Sequence, residues 1–133
     1  MLAKAMQQCL TIIIGLAMMF AMMVGSGHPT ETADAATRRS AAIQYLLTFV
    51  KNSDCRFIRN DKEYSAAEAA AHIERKYEYF KNEIKTAKDF VRLTATKSLL
   101  SGKMYYVILK NGQKMTAAAW LLEALNDYQL RQK

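Results

Sequence analysis

Proline occurs once in these 133 residues, tryptophan once, cysteine and histidine twice each, and glycine five times. So little proline and glycine excludes collagen-like and low-complexity chains. Two cysteines are too few for a disulfide-dense scaffold, and two histidines beside them leave little for a zinc site. Several signatures are also missing: a glycine-rich phosphate loop, a G-x-S-x-G elbow, a C-x-x-C pair and an H-E-x-x-H helix. Gly102 and Gly112 stand alone as turn residues. Nothing calls for a cofactor or a metal. What is present is 51% hydrophobic residues against 23% charged, the balance of one globular domain rather than a disordered chain. The 19 lysines and arginines outnumber the 12 acids, for a formal charge of +7.

Lys4 is the only charge before Glu31, and Leu10 to Val24 is apolar throughout apart from Thr11. A cation followed by roughly 7–15 apolar residues and a small-residue exit has the pattern of a secretory signal peptide. A lasting membrane span needs about 20 apolar residues, so this run is short for one. Two exits are available, Gly25-Ser26-Gly27 and Ala33-Asp34-Ala35. The expected organisation is therefore a signal peptide over 1–27, with 35 as the later boundary, a flexible segment over 28–36, and one domain over 37–133. On that reading the chain is expected to be periplasmic or secreted. Cys9 precedes the apolar run, where a lipoprotein cysteine would follow it. Cys55 is then left without an intramolecular partner. The remaining chain, about 100 residues, suffices for one modest core.

Within it, Ile43, Leu46, Leu47 and Val50 fall at i, i+3, i+4 and i+7, which predicts a helix from Thr37 to Asn52. Arg38 and Arg39 then sit in its first turn, where the macrodipole disfavours cations. Cys55 to Tyr64 alternates around Asn60-Asp61 and predicts a short β-hairpin. Ser65-x-x-Glu68 is a capping box opening a helix with Ala69, Ile73, Tyr77, Phe80 and Ile84 on its core face. Glu74, Arg75, Lys76, Glu78 and Lys81 fall on its outer face. Thr86 and Asp89 open a further helix. Met104 to Leu109, a type I′ turn at Asn111-Gly112 and Gln113 to Met115 read as a second hairpin. Thr116 caps a last helix with Trp120, Leu121, Ala124, Leu125 and Tyr128 facing inward. Arg59 to Ala67 and Lys110 to Ala118 echo each other at an offset of 51 positions. The fold class is thus α+β: two short β-hairpins forming a small antiparallel sheet, packed with about four helices.

Four elements recur in fixed order: Phe57-x-Arg59-Asn60, Glu68-Ala69-x-x-His72, Thr86-Ala87-x-x-Phe90, and Ser98-x-x-Ser101-Gly102-Lys103-x-Tyr105-x-Val107. In this the chain resembles the YfeK-like family of small exported bacterial proteins, a domain of unknown function, from about Ile43 to Leu125. The resemblance implies export and a compact α+β domain and brings no catalytic residues with it. Met104 stands where the resemblance leads one to expect proline, which bears on the local turn.

His72 falls at the edge of its helix's core face, where a packed, hydrogen-bonded core histidine is the first expectation and a ligand contact or a general base the alternatives. The loop Lys97 to Lys103 offers hydroxyls at Ser98 and Ser101, a glycine and two cations, which suits an anionic group. Arg59 and Lys62 adjoin it at the hairpin tip. The expected function is a non-enzymatic envelope binding protein using Arg59, Lys62, His72, Lys97, Ser98, Ser101 and Lys103. Its partner would be an unidentified envelope protein or an anionic envelope component. Two alternatives remain: a small periplasmic hydrolase pairing His72 with Ser98 or Ser101, and a charge-driven, peripheral binder of an anionic membrane surface. No nucleic acid is expected, because the cations are interleaved with acids and form no stripe.

Overall fold

The structure is a computed structural model, and it describes residues 32–133. Thr32 takes an extended backbone and its hydroxyl accepts from the Ala35 amide, starting helix α1 (Ala33–Lys51). The helix therefore begins four residues before Thr37, inside the segment expected to be flexible. Residues 28–31 and the whole of 1–27 lie outside the described residues. The earlier start resolves the misplaced arginines. Asp34, not Arg38, occupies the first turn, where an acid favours the dipole. Arg39 instead donates to the Lys85 carbonyl at 3.3 Å.

Strands β1 (Arg56–Arg59) and β2 (Lys62–Tyr64) meet at Asn60 and Asp61, whose φ angles of 52° and 64° make the two-residue primed turn that matches strand twist. Ser65 and Glu68 form the expected capping box of α2 (Ala66–Phe80). That helix stops at Phe80, so Ile84 is buried from the connection beyond it rather than from the helix. A second capping box, Thr86 with Asp89, opens α3 (Ala87–Thr94). Strands β3 (Tyr106–Ile108) and β4 (Lys114–Thr116) follow, and Thr116 caps α4 (Ala117–Leu130).

The second hairpin departs from expectation. Gly112 has a positive φ of 86° but Asn111 does not, so no type I′ turn forms. The Gly112 amide donates to the Leu109 carbonyl and the Leu109 amide to the Gln113 carbonyl, closing a three-residue loop. Glycine takes the left-handed position at its end, where a side chain would be strained.

The four strands pair antiparallel in the order β2-β1-β3-β4, so the hairpins join through their first strands. Phe57 lies opposite Val107 at that junction, and both are buried. Each hairpin then feeds a helix, with caps at Ser65 and Thr116 separated by the same 51 positions as the sequence echo. Helices α2 and α4 pack on the sheet, and α1 packs across both. The core is built from Ile43, Leu46, Val50, Phe90, Val91, Val107, Leu121 and Leu125, with Trp120 wedged between Phe49 and Phe57. No helix among the described residues is long and apolar enough to cross a membrane.

Candidate binding site

On α2, His72 and Lys76 stand one helical turn apart, so their side chains project from the same face. Beside them run the end of β1, carrying Arg59, and Tyr105, whose amide donates to Thr96 and whose carbonyl accepts from Ala117. The loop 98–103 closes the third side. These elements enclose a cleft of about 370 Å³ lined by Arg59, Tyr64, His72, Lys76, Ser98 and Tyr105, with Asn60, Leu99 and Leu100 on its rim. A small apolar recess of about 40 Å³ shares Arg59, Tyr64, His72 and Tyr105 with it and reaches towards Ile73 and Ala117.

Lys76 is the unexpected member. Its periodicity placed it outside, yet it is only 7% exposed. Its ammonium donates to the Lys97 carbonyl at 2.9 Å and lies 5.1 Å from the Tyr105 ring centre. Among the described residues no carboxylate pairs with it, and none pairs with Arg59, which instead lies 4.4 Å over the Tyr64 ring. Burial, and then the neighbouring Arg59, push the Lys76 pKa down. Burial likewise lowers His72, from 6.5 to about 4, with Arg59, Lys76 and Arg75 adding to the effect. At neutral pH that imidazole is uncharged. Its Nε2 is 3.1 Å from the Tyr105 hydroxyl, whose own pKa burial raises. Two cations, a neutral imidazole and a phenol thus share a partly dry space; Glu68, on the wall of the adjoining recess, feels the charge of Arg59 but is held in the Ser65 capping box and pairs with neither cation. Such a space lowers its energy by admitting an anion.

The sequence-predicted residues are divided. Arg59, His72 and Ser98 line the cleft. Lys62 stays at its margin, 5.5 Å from the Tyr64 ring centre. Lys97 contributes its carbonyl to Lys76 while its side chain is exposed. Ser101 is used to hold the loop, donating to the Asn60 side chain. Lys103 turns away from the cleft, pairs with Asp61, and lines a separate groove with Ile58, Met104 and Lys114. The loop is consequently pinned rather than flexible. The Ser98 amide donates to the Lys103 carbonyl, Gly102 to the Ser98 carbonyl, and Asn60 to the Ser98 hydroxyl.

As for a serine–histidine pair, Ser98 and His72 do line one cleft. The hydrogen bonds, however, join His72 to Tyr105, Tyr105 to Ser98, and Ser98 to Asn60 and the Ser101 amide, so the phenol stands between the histidine and the serine. Among the described residues no three His, Cys, Asp or Glu side chains converge as they would around a metal. Tyr64, Lys76 and Tyr105 were not singled out from the sequence. The signal for Lys76 was available in its i+4 relation to His72, and a lysine in a helix is ordinarily solvated.

The fold is α+β, with a central four-stranded antiparallel sheet and a cationic, aromatic-walled cleft at one hairpin. The chain belongs to a family of unknown function, DUF5329, whose family model matches residues 37–129. No curated protein and no solved structure matches it significantly.

Proposed function

We propose that this chain is an exported, non-enzymatic binding protein whose cleft takes an anionic group of an envelope component. The observation that carries the reading is Lys76: an ammonium 7% exposed, beside Arg59, with no carboxylate partner among the described residues. Burying a charge is costly unless an opposite charge or strong hydrogen bonds compensate. Here one carbonyl bond is supplied, and a bound carboxylate or phosphate would supply the rest. Tyr64 and Tyr105 would flank the ligand, and Ser98 would offer a hydroxyl.

Export is supported by Lys4 and the apolar Leu10–Val24 run, and by the resemblance to YfeK-like exported proteins. Cleavage after Gly27 would leave the Thr32 cap of α1 in place, whereas cleavage after Ala35 would remove that cap and the first turn. The earlier boundary is therefore the favoured one.

Titration with inorganic phosphate, followed by the NMR shifts of Lys76, His72 and Tyr105, tests the site. Saturable shifts that vanish in Arg59→Gln support it; unchanged or linearly drifting shifts refute it. Intact mass of the protein from fractionated cells tests export. A mature chain starting near His28 in the envelope fraction is the expected result, and a full-length cytoplasmic species would refute it.

A further inference from the structure

Leu100 is 99% exposed and Leu99 is 62% exposed, and the loop bearing them is not loose. Backbone bonds close it from Ser98 to Lys103, Asn60 holds Ser98 and Ser101, and Lys103 pairs with Asp61. An apolar pair held out by this many bonds is a fixed projection. Both leucines also form the rim of the cleft that contains Arg59 and Lys76. Apolar and cationic chemistry therefore meet along one edge.

The charge around that edge is unbalanced. Arg59 and Lys76 line the cleft and Lys62 lies at its margin, while the carboxylate whose charge reaches Arg59 and Lys62 is that of Glu68. Asp61 already pairs with Lys103, and Glu68 is held by the Ser65 amide in the capping box. A soluble anion would satisfy the cations and leave the leucines in water. A bilayer satisfies both, because its phosphates lie just above its acyl boundary.

We propose that this rim is a membrane-contact surface for anionic phospholipid. Leu99 and Leu100 enter the acyl layer while a lipid phosphate occupies the cleft against Arg59 and Lys76. The inference rests on the reading of the cleft as an anion site and adds the source of the anion.

The test uses the full chain in lipid nanodiscs carrying a spin-labelled lipid, made of either phosphatidylglycerol or phosphatidylcholine. The readout is paramagnetic broadening of the amides of residues 98–102. The apolar N-terminal stretch is common to every sample, so only loop contact distinguishes them. Broadening should be several-fold stronger in phosphatidylglycerol, and each of Arg59→Gln and the double variant Leu99→Ser/Leu100→Ser should abolish the excess. In a second arm, glycerol 1-phosphate is titrated and the cleft resonances of His72 and Tyr105 are followed. Cleft shifts without loop broadening would overturn the membrane inference and leave the anion site standing. Equal broadening in both lipids would overturn it too, since contact would then be independent of charge. Absence of both signals would overturn the inference together with the anion site.

Discussion

Acidification sets a proton against the environment of His72. In the folded chain this imidazole has a pKa of about 4, against 6.5 for the unperturbed group, because burial and then Arg59, Lys76 and Arg75 oppose its charge. Between those values the unfolded chain binds the proton and the folded chain does not. Stability therefore rises with pH across that window, and is lost as pH falls from about 6.5 through about 4. The gap predicts a loss of about 2 kcal/mol between about pH 7 and pH 5, a large share of a small domain's stability. Glu68 and Asp89 also have lowered values, from 4.5 and 3.8, so their contributions fade only below that range. Urea unfolding at several pH values provides the assay. The midpoint should fall by about 1 M from pH 7 to pH 5 in the wild-type chain. In His72→Gln, whose amide can still meet the Tyr105 hydroxyl, it should stay nearly level. An equal fall in both proteins would show that His72 is not the group responsible, and no fall in the wild type would refute the burial account.

Trp120→Ala should destabilise the domain by about 3–5 kcal/mol, because the ring is 8% exposed and packs 4.7 Å from Phe49 and 5.6 Å from Phe57. Far-UV circular dichroism should show the melting temperature falling by about 15–25 °C, and a fall below about 5 °C would refute the packing. Asn60→Ala should cost about 1–2 kcal/mol, since it strains a positive φ and releases Ser98 and Ser101. Hydrogen exchange at the Ser98 and Gly102 amides should accelerate; unchanged protection would show that the loop does not depend on Asn60. Thr86→Ala should cost about 1 kcal/mol by opening the α3 capping box, measured by chemical denaturation, and a neutral result would assign the helix start to packing alone.

Local chemistry made much of the fold legible. Capping residues act on amides three positions away, so Ser65, Thr86 and Thr116 announce their helices without knowledge of the rest. Helical spacing likewise identified Ile43, Leu46, Leu47 and Val50 as one buried face. The start of α1 is also written locally, in Thr32 and Asp34, whereas the apolar pattern begins only with Ala42 and Ile43. The Asn111-Gly112 pair departs from a two-residue turn for a related reason. Whether such a pair closes two residues or three depends on strand register, which pairing with β1 and β3 settles.

The site divides the same way. The sequence by itself determined that Arg59 and Lys62 stand at a hairpin turn, that His72 sits at the edge of its helix's core face, and that the 97–103 segment carries hydroxyls and cations. Only the tertiary structure decided which of these charges face one another. Asp61 claims Lys103, Asn60 claims Ser101, and the Lys97 carbonyl draws Lys76 inward. Each contact joins residues 21 to 42 positions apart. Helical and strand periods report which side of an element a residue occupies, not what the opposite side will be. Lys76 lay within one turn of His72 in any reading, and its burial followed from a loop folding over it.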